Sequence, residues 1–140
     1  MYVKALKQIS IEKSDYLPYL TNVPVFITEN KLYNIYGKFL ICGDIYYLIC
    51  NDMYSTENKS GLMLYNSNLF ASPYGCESQY WTRNTLREDK HYLEQNEYDN
   101  NLCFPEYFYI PNFLIKLHMG DKLCSKIFSF YKEHIDKENQ

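Results

Sequence analysis

Apolar positions concentrate between Lys31 and Phe70, where KLYNIYGKFLICGDIYYLICND is followed by a polar break and then GLMLYNSNLF. Leu32–Cys42 and Ile45–Cys50 read as two strands joined through Gly43-Asp44. A two-residue loop with Gly first predicts a type II′ turn, whose twist matches that of the strands beside it. The second strand, IYYLIC, is apolar at every position. Such a run needs cover on both faces, or a central place in a small barrel. Asn51–Gly61 is a polar loop, and Leu62–Tyr65 is a third strand.

The flanks read as elements that cover this centre. In Tyr2–Ile11 the periodicity fits an edge strand or a short helix and does not choose between them. Ser14–Thr21 is turn-like, because Pro18 pushes Leu17 away from helical angles. Val23–Thr28 is β-branched and aromatic, with Pro24 restricting it to an edge or a strand start. Ser72–Gly75 marks a bend, and Gln79–Thr85, around Trp81, is a further candidate strand.

The C-terminal third turns aromatic and then helical. FPEYFYIP (Phe104–Pro111) is expected to be extended or turn-like, with Pro111 in the first turn of a short helix running through His118. Gly120 should end that helix and Asp121 should cap the next. Leu123, Ile127, Tyr131 and Ile135 recur at four-residue spacing with Cys124 and Phe128 beside them, which predicts an amphipathic helix packed on the sheet. From Lys137 the tail is expected to fray.

Composition narrows the class of protein. A chain of 140 residues with 46 % hydrophobic residues suits one domain over 1–140 with a single sizeable core. The net charge of −3 comes with no basic cluster of the kind that nucleic-acid binders carry, so no nucleic acid is expected as partner. No apolar run reaches the roughly 18 residues of a membrane span. The N-terminus lacks an apolar signal-peptide core, so no membrane association and a cytoplasmic location are expected. The five cysteines, Cys42, Cys50, Cys76, Cys103 and Cys124, are widely spaced without CxxC and read as reduced, mostly buried thiols. No metal and no cofactor are expected, since neither metal-ligand spacing nor a glycine-rich phosphate loop occurs.

One stretch departs from the core-like pattern. Between Arg87 and Asn101, the acids Glu88, Asp89, Glu94, Glu97 and Asp99 face only Arg87 and Lys90 as fixed cations, and Tyr92 and Tyr98 are interleaved. A solvated loop or helix explains this composition. So does an acidic, aromatic surface that covers a basic cleft on a protein partner, where charge steers encounter and aromatic groups anchor the contact. Trp81, just upstream, suits either a core ring or an interface anchor. A thiol enzyme using Cys76 with His91 needs a spatial contact that spacing alone does not supply.

Tyr33-x-x-Tyr36-Gly37, Ile45-Tyr46-Tyr47-Leu48-Ile49, Asp52, Tyr65-x-x-x-x-Phe70 and Tyr80-Trp81, with Phe104-Pro105-Glu106 and a final FYKEHI, form a pattern. It resembles that of small bacterial immunity proteins with an SH3-like barrel, which sit beside toxin genes in contact-dependent or polymorphic toxin systems. The resemblance implies a non-enzymatic inhibitor of one toxin domain. The expected fold is α+β: a small twisted antiparallel sheet or SH3-like open barrel with a C-terminal amphipathic helix. The expected function is occlusion of the active site of a cognate toxin domain, a nuclease being one candidate and a basic domain the expected partner because an acidic surface selects a cationic cleft, through Trp81, Glu88, Asp89, Tyr92, Glu94, Glu97, Tyr98 and Asp99. A phage-encoded inhibitor of a host nucleic-acid enzyme, of the anti-restriction or anti-CRISPR type, is the alternative that the same charge serves. The pattern leaves the oligomeric state open.

Overall fold

The structure, a computed structural model, describes residues 1–6, 9–12, 23–84 and 101–140, the side chains of 9–12 and 23–25 excepted. The fold is α+β. Its centre is a five-stranded antiparallel sheet in the order β7-β6-β5-β9-β8, made of Leu62–Asn66, Asp44–Cys50, Gly37–Ile41, Leu102–Cys103 and Thr82–Arg83. Two short antiparallel pairs accompany it: β1 (Tyr2–Lys4) with β4 (Leu32–Asn34), and β2 (Ile9–Glu12) with β3 (Val23–Ile27). The sheet does not close into a barrel. Three helices follow: α1 (Pro105–Tyr109), α2 (Phe113–His118) and α3 (Lys122–Glu138).

The all-apolar strand β6 is covered on both faces, as its composition demands. Tyr46 and Leu48 point into a core shared with Phe104, Phe113, Leu117 and Phe128 from the helical side. Tyr47 and Ile49 alternate into a second core with Val3, Tyr33, Ile35 and Phe70. The period of two in a strand thus divides one apolar run between two layers.

Two details of the central hairpin differ from expectation. The turn lies one residue earlier, because Ile41 pairs with Asp44 and leaves Cys42-Gly43 as the loop. Both residues have positive φ, 50° and 84°, which is the type I′ signature rather than II′. Leu32–Cys42 is also two strands. The chain breaks at Ile35-Tyr36, where Ile35 N bonds Met1 O (3.1 Å) and Tyr36 N bonds Leu48 O (2.8 Å). Tyr33 and Ile35 enter one core, whereas Phe39, in step with them at a period of two, enters the other, so a single straight strand would leave one set in the wrong layer.

Gly61 shows how close the loop behind β6 packs. A Cβ there would lie 2.6 Å from the Tyr54 backbone, closer than side chains approach, so only glycine admits this crossing.

The helical end meets some expectations and corrects others. Phe104–Pro111 contains α1, with Pro105 rather than Pro111 at the first helical position, where its missing N–H costs nothing. Next, α2 ends as expected at Gly120 (φ 84°). Gly120 N bonds Leu117 O (3.1 Å) and Asp121 N bonds Lys116 O (3.0 Å), a Schellman closure. Asp121 then accepts from Cys124 N at 2.8 Å. That turn and cap fix the phase of α3 so that Cys124, Phe128 and Ile135 face inward, while Leu123 is 62 % exposed. Finally, the tail does not fray at Lys137, because α3 continues to Glu138. Asn139 accepts from the Met1 nitrogen (2.8 Å) and donates to Met1 O (3.2 Å) and Asn34 Oδ1 (3.0 Å).

Candidate functional site

The acidic stretch and its neighbour His91 lie outside the described residues, so Glu88, Asp89, Tyr92, Glu94, Glu97, Tyr98 and Asp99 carry no structural statement. Strands β8 and β9 pair Thr82 with Cys103 and Arg83 with Leu102, and Asn84 N bonds Asn101 O at 3.0 Å. The Asn101 side chain also accepts from Leu40 N at 2.9 Å. Positions 84 and 101 therefore sit side by side at the edge of the five-stranded sheet.

Trp81 stands immediately before this edge pair. Its ring is half-buried and packs against both hydrophobic cores. Its Nε1 is buried with no hydrogen-bond partner among the described residues. The ring joins the two layers, and its polar tip is withdrawn from the surface that an interface anchor would use.

The densest polar cluster that sequence reasoning missed lies under α3. Asp136 accepts from Tyr36 OH (2.5 Å), Asn34 Nδ2 (2.7 Å) and Lys132 Nζ (2.6 Å). Lys132 Nζ also lies 5.8 Å and 5.6 Å from the ring centroids of Tyr36 and Tyr54, within cation–π range. Burial, with Cys50 and Asp136 nearby, pushes the Tyr36 phenol far above its ordinary value. Burial likewise pushes the Cys50 thiol well up. A carboxylate committed to three donors, a phenol that stays protonated and a thiol that stays protonated hold a helix on a sheet. They do not supply a base or a nucleophile. The only sequence trace of this cluster is the Lys132–Asp136 spacing of a helical ion pair.

A second node anchors the loop after β6. Asp52 accepts from Thr28 Oγ1 (2.6 Å), Lys31 Nζ (2.6 Å) and Tyr33 OH (2.8 Å). Burial pulls its carboxyl upward, but these bonds outweigh burial and hold it below the usual carboxylate range. Tyr33, in turn, is pushed up to about 12, chiefly by burial. Beside this node Phe26 has φ 51°, a left-handed conformation unusual for a bulky residue.

The thiols and imidazoles are dispersed. Cys103 and Cys124 are buried, Cys50 is half-buried, and Cys42 and Cys76 are exposed, so burial holds for fewer of the five than expected. His118 Nε2 lies 2.6 Å from Leu62 O and His134 Nδ1 lies 2.8 Å from Phe130 O. Cys76 meets neither of these histidines in any described contact. Among the described residues no group of His, Cys, Asp and Glu is arranged to hold a metal ion, and no helix is long and apolar enough to cross a membrane. No protein-family model, curated protein or solved structure matches the chain.

Proposed function

We propose that the chain is a non-enzymatic binding protein of the immunity type, whose acidic segment covers a cationic active-site cleft on a toxin domain. The observation that carries this reading is the closed edge pair β8–β9. It brings positions 84 and 101 together at one sheet edge, so the two ends of a stretch rich in Glu, Asp and Tyr meet at a single place. Charge presented from an anchored base steers association and contributes most where the pairs lose water.

Charge reversal tests the proposal. A variant carrying Glu88→Lys, Glu94→Lys and Asp99→Lys is compared with the wild type. The partner is the toxin domain encoded beside the gene for this chain, with growth rescue and affinity both measured. The expected loss is several kcal/mol, which is at least about a hundredfold in Kd, with an unchanged unfolding midpoint. Equal rescue by both chains moves the interface away from this segment, and failure of the wild type to bind or rescue overturns the reading.

A further inference from the structure

The phase of α3 leaves a second apolar line beside the core face, with which it shares Ile127. Leu123, Ile127, Phe130 and His134 follow one another in steps of four, three and four residues. That is the spacing of a coiled-coil seam, in which alternate steps of three and four keep one edge facing a partner helix. Leu123 is 62 % and Phe130 52 % exposed, and Ile127 and His134 are half-buried. The line is continuous at its C-terminal end, where the Phe130 and His134 rings are 4.2 Å apart and Tyr80 lies 5.4 Å from His134. Exposed apolar groups in such a row mark a docking surface.

The charges beside the seam identify the occupant. Lys126 and Glu133 are both exposed and stand one heptad apart on the same flank, where Glu133 also accepts from Lys137 Nζ (3.2 Å) in a solvent-exposed helical pair that a partner can displace. We propose that this seam binds a second copy of the chain through an antiparallel, two-fold pairing of α3 with α3. In that arrangement Lys126 comes opposite the partner's Glu133 and Glu133 opposite the partner's Lys126. Leu123 then meets the partner's His134, and Ile127 the partner's Phe130. A parallel pairing would set Lys126 against the partner's Tyr131 and Glu133 against the partner's Glu138, which loses both attractions and adds two repulsions. The surface is thus self-complementary in the antiparallel arrangement, whose two-fold closes the assembly at two. A contact of one helix per copy falls at the small end of interfaces, so weak pairing is expected.

Sedimentation equilibrium of the full-length chain, from micromolar to submillimolar concentration, tests this. The wild type should pass from one to two chain masses. Leu123→Asp and Phe130→Asp, at side chains already more than half exposed, should each weaken pairing by about tenfold or more without lowering the melting temperature. Lys126→Glu and Glu133→Lys should each weaken it alone, and an equimolar mixture of the two should pair more tightly than either. A wild type that stays monomeric, one that grows beyond two copies, a dimer indifferent to both aspartate variants, or a mixture no tighter than its components overturns the proposal.

Discussion

Asp136→Ala removes one acceptor from three donors and should be the costliest single polar change in the described part of the fold. The Tyr36 phenol loses its partner inside a residue only 3 % exposed. A buried donor left unsatisfied costs about 1–3 kcal/mol. Asn34, half-buried, adds about 0.5–1.5 kcal/mol for its lost bond. Lys132 adds little, since its side chain is 29 % exposed and can turn to water, and helical ion pairs of this kind contribute about 0.3–0.5 kcal/mol. The expected total is about 2–4 kcal/mol. Tyr36→Phe removes the phenol but leaves Asp136 two donors, so about 1 kcal/mol is expected. With no phenol to strand, Asp136→Ala should cost less in the Tyr36→Phe background, giving a coupling of about 1–2 kcal/mol. Urea unfolding followed by circular dichroism and by the fluorescence of the single Trp, Trp81, measures all four corners of the cycle and checks that the transition is two-state. A loss under about 1 kcal/mol, or additive single changes, refutes the argument that the phenol–carboxylate bond locks α3 to the sheet.

Asp52→Asn should lower stability at neutral pH, with a difference from wild type that shrinks as the solution becomes acidic. The Asp52 carboxyl is held below its ordinary value. Its contribution is therefore complete above the unfolded value of about 3.9 and is lost as pH falls through the lower folded value. Urea midpoints from pH 7 to strongly acid conditions test this, and a difference constant with pH refutes it. Thiol titration of the native chain should give rapid labelling at Cys42 and Cys76, with Cys50, Cys103 and Cys124 reacting only on unfolding. Burial shields these three and pushes their thiols up. Fast labelling at Cys50 would reopen the cluster under α3 as a reactive site.

The fold class was legible where one physical rule dominated. The apolar run of β6 demanded two covered faces, and the Asp121 cap and Gly120 stop followed from backbone chemistry alone. Periodicity misled where tertiary contacts set the phase: Leu123 and Cys124 are both apolar, and only the Schellman turn decides that Cys124 faces the core. The break at Ile35-Tyr36 was hidden because both residues are strand formers, and nothing local says that Tyr33 and Ile35 serve a different layer from Phe39. Asp136 and Asp52 were invisible as centres for a related reason. Each is a single carboxylate whose donors arrive from distant segments, Tyr36 and Asn34 in one case and Thr28, Lys31 and Tyr33 in the other. The acidic stretch was conspicuous in composition, but composition fixes where charge resides along the chain and not what it meets.

Strand β5 has one neighbour from next door and one from far down the chain, and this implies an order of events. The β5–β6–β7 meander closes over short separations and can form early. Strand β9 and helix α3 reach β5 only after a long loop has closed, and that entropy must be lost before their contacts form. Substitutions in the meander core, such as Ile49→Val, should slow folding. Phe128→Leu, on the late-arriving helix, should mainly hasten unfolding. Stopped-flow rates for the two variants separate these outcomes, and equal slowing of folding by both would refute the order. The lifetime of the native state would then rest on its last-assembled layer, the same helix that carries the Asp136 lock.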